Sequence, residues 1–226
     1  GLQGCLSSSS SDDAARELSF NHGVASGDPL ADRVIIWTRV TPLDGRSADI
    51  SVGWEIATDA AFTDLVHSGT ATTGAARDYT LKVDAQNLLP GTTYYYRFKA
   101  ADVISPVGRM KTLPAGSIDQ VRFAVMSCSN YPAGYFHVYA AAAAESELDA
   151  VIHLGDYIYE YGNGGYATED AAALGRLLPD NNGGEILTLT DYRRRYALYR
   201  TDTDLQSLHA AAPFIAVWDD HEVAND

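Results

Sequence analysis

Ala150-Val151-Ile152-His153-Leu154-Gly155-Asp156-Tyr157-Ile158-Tyr159-Glu160 is the stretch that decides how the rest of the chain is read. Its mostly apolar first half has the look of a buried strand, and a glycine followed by a carboxylate ends it. Upstream, the alanine-rich run 135–147 is helix-competent, and 121–126 (Val-Arg-Phe-Ala-Val-Met) is another apolar strand. This β-α-β order implies a parallel sheet with both faces covered. Downstream, 162–184 is rich in Gly, Asn and Asp and reads as a long loop, functional or disordered. A helix is expected from Asp191, a suitable N-cap, with Tyr192, Tyr196 and Tyr199 along one face as core residues. Pro213 closes the helical stretch, and 214–218 (Phe-Ile-Ala-Val-Trp) is a third buried strand.

Each of these strands runs into residues of metal-ligand type at its carboxyl end. The first ends in Ser127-Cys128-Ser129-Asn130, the second in Gly155-Asp156 through Glu160, the third in Asp219-Asp220-His221-Glu222. In parallel sheets the loops converge beyond the carboxyl ends, and ligands bind there. Alone, Cys128 reads as a small buried hydrophobe and His221 as a salt-bridged surface histidine; three such endings in a row favour a shared site. Asp156, directly after its strand, can bridge two cations. Two metals ~3.5–4 Å apart clamp the attacking and leaving oxygens of a phosphoryl displacement and acidify a bound water. Tyr159 reaches the same site if the chain enters a helical turn. Thiolate and phenolate donors suit trivalent iron better than Mg²⁺. His153, inside an apolar run, is expected in the core, and Asp219 is a candidate for orienting a ligand from behind.

The front of the chain, 18–114, is patterned as an all-β unit. Runs 33–40, 51–57, 79–83 and 93–99 are β-branched, alternating or aromatic, with Val52, Trp54 and Ile56 on one face. Asp44-Gly45 and Pro90-Gly91 supply turns, and short strands at this spacing suggest a sandwich. Leu89-Pro-Gly-Thr-Thr-Tyr-Tyr-Tyr-Arg-Phe98 resembles the segment leading into a late strand of fibronectin type III domains, where a tyrosine anchors a corner. The expected fold class is thus a mainly β sandwich, fibronectin type III-like, followed by an α/β domain. The composition shift at Thr112-Leu-Pro-Ala-Gly-Ser117 places the boundary, giving 1–17 as a tether, 18–114 as the sandwich and 115–226 as the α/β part.

Composition narrows the function. A net charge of −14 argues against nucleic acid, whose binding depends on Lys and Arg. A phosphate substrate would meet the same repulsion unless bound cations offset it. No apolar run reaches the ~18 residues of a transmembrane helix. Cys5 and Cys128 lie in such different settings that no disulfide is expected between them. Leu2-Gln3-Gly4-Cys5 resembles the end of a bacterial lipoprotein signal, although Gln3 departs from such a box. The serines and Asp12-Asp13 after it read as a solvated tether. That resemblance implies export and a lipid anchor on Cys5.

Gly155-Asp156 with Tyr159, and later Asp219-Asp220-His221-Glu222, resemble the second and third blocks of the calcineurin-like metallophosphoesterases. Taken with Ser127-Cys128, with Trp218 to Val223 and with a sandwich in front, the chain is similar to the PhoD-type alkaline phosphatases. His22-Gly-Val-Ala-Ser-Gly-Asp-Pro29 and Ile36-Trp-Thr-Arg39 match that family's N-terminal domain. The resemblance implies an iron (Fe³⁺) centre with accompanying Ca²⁺. It also implies hydrolysis of small-molecule phosphate esters, by a metal-activated hydroxide, in the periplasm or at the cell surface. By it, Cys128 and Tyr159 bind iron, Asp156 bridges the metals and Asp220 stands where the superfamily has a metal-binding asparagine. His221 stabilises the transition state or protonates the leaving group. The superfamily's later histidine blocks are not met by residue 226, so the chain is expected to be the N-terminal half of a metallophosphoesterase, inactive alone. Two alternatives stay open: a phospholipase-like phosphodiesterase on the same metals, and a non-catalytic surface lipoprotein that binds through its sandwich.

Overall fold

The computed structural model describes residues 16–224; residues 1–15 of the expected tether, with Cys5, lie outside the described residues. The front segment contributes β1 (Leu18–Ser19), β2 (Val24–Gly27), β3 (Arg33–Arg39), β4 (Thr41–Pro42), β5 (Ile50–Ala57), β6 (Leu65–Thr73) and β7 (Thr80–Gln86). It continues with β8 (Thr93–Ala100), β9 (Val103–Ile104) and β10 (Gly108–Lys111). The second segment runs β11 (Phe123–Met126), α1 (His137–Ala143), β12 (Ala150–His153), α2 (Leu189–Tyr199), α3 (Thr203–Ala211) and β13 (Phe214–Ala216).

The period-two pattern of the front strands decides which side chains go inward. Val34 and Ile36 on β3, Val52 and Ile56 on β5, and Tyr94, Tyr96 and Phe98 on β8 are almost wholly buried and share one apolar cluster. Each such side chain contributes about 1.5–3 kcal/mol on leaving water. Tyr94 also accepts a hydrogen bond at its hydroxyl from the Leu89 N–H, 2.9 Å away, and so pins the turn before β8. Strand β6 answers no run named from the sequence. Its residues Leu-Val-His-Ser-Gly-Thr-Ala-Thr-Thr carry little apolar alternation, and it pairs along β5 at the sheet's edge.

Two large sheets result, one in the order β10-β8-β5-β6 and the other in the order β11-β12-β13-β2-β3-β7. The second mixes the segments: β11, β12 and β13 are parallel, β13 then meets β2 through Phe214 and Gly27, and β2, β3 and β7 continue it antiparallel. The chain boundary near 114 is therefore not a break in the sheet. A Cβ on Gly27 would sit 2.9 Å from the Phe214 carbonyl oxygen, so this junction needs glycine.

Three expectations are corrected. Both faces of the parallel strands were expected to be covered, but α1 and α3 cover one. Phe123, Val125, Ile215 and Val217 are exposed, because among the described residues no layer packs on their side. The helix begins earlier than Asp191: Thr188 is the N-cap and Asp191 the third helical residue, joined in a capping box. The stretch before Pro213 is also two helices, because Asp202 accepts from the N–H groups of Asp204 and Leu205 and starts α3 afresh.

Candidate metal centre

Parallel register sets Met126, His153 and Ala216 side by side, so the three following loops leave the sheet at one edge. Two residues there adopt left-handed backbone, Cys128 at φ 61° and Asp156 at φ 54°. For residues with a Cβ this conformation costs of order 1–3 kcal/mol each and persists only where the surroundings enforce it. The enforcement is visible. Cys128 N–H donates to the Gly155 carbonyl at 3.2 Å, and Ser129 N–H donates to the Asp156 carbonyl at 2.8 Å. Gly155, at φ 107°, lies against the third strand end, where a Cβ would come within 2.5 Å of the Asp219 backbone nitrogen.

The five residues singled out from the sequence come together, the other four around Asp156. Its Oδ2 lies 3.3 Å from Cys128 Sγ and 3.5 Å from the Tyr159 hydroxyl. Its Oδ1 accepts from the His221 N–H at 3.4 Å. Asp156, Asp220 and His221 offer ligand atoms that all lie within 4.8 Å of one another. Tyr159 arrives without the helical turn expected of it; the bend at Asp156 brings it round instead. Cys128 is exposed and carries a free thiol, while Tyr159 is buried. Burial first, then the nearness of Cys128 and Asp156, pushes the Tyr159 phenol above its ordinary range. A cation would reverse this, because a bound ion is the largest local charge in its site. The donor set, one thiol, one phenol, two carboxylates and an imidazole, fits a metal centre of mixed hard and soft character.

Two glutamates hold this arrangement, and the sequence reading gave neither a role. Glu222 is buried and accepts from the N–H of Asp219 at 2.8 Å, of Asp156 at 3.0 Å, of Ile158 at 3.4 Å and of Tyr157. One carboxylate thus ties the third strand end to the second. The Asp-x-x-Glu spacing of a capping box was its only trace in the sequence. Glu160 pairs through Oε2 with His221 Nδ1 at 2.8 Å, and Tyr159 stacks on the same imidazole at 4.1 Å between ring centres. Asp219 remains exposed outside the donor group. His153 is a core histidine: its Nε2 meets the Tyr139 and Ser129 hydroxyls at 3.2 and 3.4 Å, and burial lowers its pKa to about 4.

A sheet whose parallel strands present such a donor cluster offers a candidate metal site, and sequence comparison gives its lineage. The PhoD-like phosphatase N-terminal domain matches residues 5–114 and the PhoD-like phosphatase domain matches 123–226. The chain belongs to the PhoD-like phosphatase family. It is 44% identical over 214 residues to alkaline phosphatase D of Bacillus subtilis (strain 168), a match that covers 92% of this chain and 36% of that protein. The solved structure of PhoD superposes with a TM-score of 0.83 at 44% identity, covering 91% of this chain and 40% of the other. The chain therefore spans well under half the length of these relatives.

Proposed function

We propose that these residues form part of a metal-dependent phosphatase that hydrolyses small-molecule phosphate esters. The observation that carries this reading is the gathering of Cys128, Tyr159 and His221 around the carboxylate of Asp156, from three strand ends, in a chain of this family. Cys128 and Tyr159 would hold Fe³⁺, and Asp156, with an oxygen on either side, would be shared with Ca²⁺ beside Asp220. Ions bound there would neutralise charge on a phosphoryl group and acidify an attacking water. The protein's own part is positioning. Glu222 fixes the loop that carries Asp156. Glu160 accepts from Nδ1–H of His221 at 2.8 Å, and the imidazolium form of that ring would offer Nε2–H to a phosphoryl or leaving-group oxygen. Export, with a lipid anchor on Cys5, belongs to the same proposal.

The test uses the full-length protein, by elemental analysis and hydrolysis of p-nitrophenyl phosphate. About one iron per chain is expected, lost in Cys128→Ser together with at least ~100-fold in kcat, as for loss of a metal-centred electrostatic term. Full iron content and activity in the double variant Cys128→Ser, Tyr159→Phe would sink the assignment.

A further inference from the structure

Helix α2 carries three arginines in a row, Arg193, Arg194 and Arg195, and only the third is buried, at 1% exposure. Tyr192, Arg195, Tyr196 and Tyr199 take the i, i+3, i+4 and i+7 places of the inward helix face. An apolar side chain would suit that pattern, and a cation there is unfavourable unless its hydrogen bonds are met. They are met in full. Nε donates to Asn182 Oδ1 at 2.9 Å. Nη1 donates to the carbonyls of Tyr159 and Tyr161, the latter at 2.8 Å. Nη2 donates to the carbonyls of Asn182 and Gly184, both at 3.0 Å. These bonds use every N–H of the guanidinium fork, and each acceptor is uncharged.

The acceptors fall into two groups. Asn182 and Gly184 belong to the long loop before α2, whereas Tyr159 and Tyr161 flank Glu160. The carbonyl of Glu160 itself accepts from the Ile186 N–H at 3.0 Å. Three successive carbonyls are thus held, two by Arg195 and one by the end of a loop that Arg195 ties to its helix. Two side chains of this short segment bear on His221: Glu160 Oε2 lies 2.8 Å from its Nδ1, and Tyr159 stacks on its ring. A lysine could not replace the clamp, since a compact ammonium lacks the planar fork that reaches both carbonyl groups and the loop at once.

We propose that Arg195 is a positioning residue for the metal centre. By clamping the carbonyls on either side of Glu160, it sets the Tyr159 phenol for the metal and the Glu160 carboxylate for His221. This role rests on the phosphatase reading, in which Tyr159 is a ligand and His221 meets the phosphoryl group.

Full-length protein serves for the test, with iron affinity measured by competition against a chelator and p-nitrophenyl phosphate hydrolysis measured at saturating iron. Arg195→Met, which keeps much of the side chain's length and none of its donors, is expected to weaken iron affinity ~10–100-fold, as for a lost partner behind a ligand. At saturating iron its kcat should remain at least about tenfold low while KM changes less than about twofold, because substrate still binds and the groups around it are misplaced. Asn182→Ala is the control for stability alone: it removes the Nε acceptor and leaves Nη1 on Tyr159 and Tyr161. Its urea midpoint should fall, with iron affinity and kcat near wild type. Arg195→Lys keeps the charge without the fork; it should show both losses in smaller degree, and it stands in if the methionine variant does not fold. An active, iron-bearing wild type matched by the Arg195 variants would overturn the positioning role alone, as would equal losses in Asn182→Ala. A wild type with neither iron nor hydrolysis would overturn the phosphatase reading and this role with it.

Discussion

Glu222 shows how much of the centre rests on a residue that need not be a ligand. Its carboxylate is surrounded by N–H donors from Asp156, Ile158 and Asp219, so both oxygens are required as acceptors. Glu222→Gln keeps the size but turns one acceptor into a donor pointed at other donors. Metal affinity, followed by calorimetric titration of the full-length protein, is expected to fall ~10–100-fold, as for lost partners behind a ligand; an unchanged affinity would remove Glu222 from this role. The ligand candidates themselves were legible in the sequence because each follows an apolar strand directly. Glu222 and Glu160 were not, since what matters is the partner, and Glu222 meets Asp156 across 66 positions of chain. Nor does sequence pattern show a left-handed backbone at a cysteine or an aspartate, which is imposed by the neighbouring loop.

Among the elements, α2 depends on its start. Thr188 and Asp191 bond reciprocally, the Asp191 carboxylate accepting from the Thr188 N–H at 2.9 Å and the Thr188 hydroxyl from the Asp191 N–H at 3.3 Å. Thr188→Ala is expected to destabilise the fold by about 1 kcal/mol, read from the denaturant midpoint; a shift no larger than that of an exposed substitution elsewhere in α2 would show that tertiary packing alone sets the helix end. The same box explains why the sequence pointed to Asp191: it is a capping residue, but it caps from inside the first turn. Strand β3 was legible as a β-branched run, β5 from alternation and β8 as an aromatic run, whose Tyr94, Tyr96 and Phe98 the structure turns inward. Strand β6 was not, because an edge strand with a polar face has no apolar period to read.

At the scale of the molecule, buried neutral histidines make stability depend on pH. His22 and His153, 6% and 0% exposed, both have their pKa lowered from 6.5 to about 4, chiefly by burial. Above pH 6.5 neither folded nor unfolded chain binds these protons. Between pH 6.5 and 4 the unfolded chain takes them up and the folded one refuses, so stability falls. By pH 5, where most carboxylates are still ionised, the loss is about 2 kcal/mol per histidine. Urea unfolding at pH 7.5 and 5.0 checks this: His22→Gln should flatten the difference by roughly half, and equal stability at the two pH values would contradict it. The composition change near 114 was legible, since turn residues and a new hydrophobic period mark it. The sheet that crosses it was not, because one pair of residues makes the junction.

That junction bears on how such a protein can be recombined. A front segment ending near 114 resembles a bead on a string, free for evolution or an engineer to exchange. Here Gly27 packs on the Phe214 carbonyl, Arg200 reaches back to His22 and Val24, and Gln206 donates to the Asn21 carbonyl. A foreign module spliced in at the linker would present none of these partners. The two segments should therefore be inherited as a matched pair, with Gly27 and Arg200 marking compatible donors.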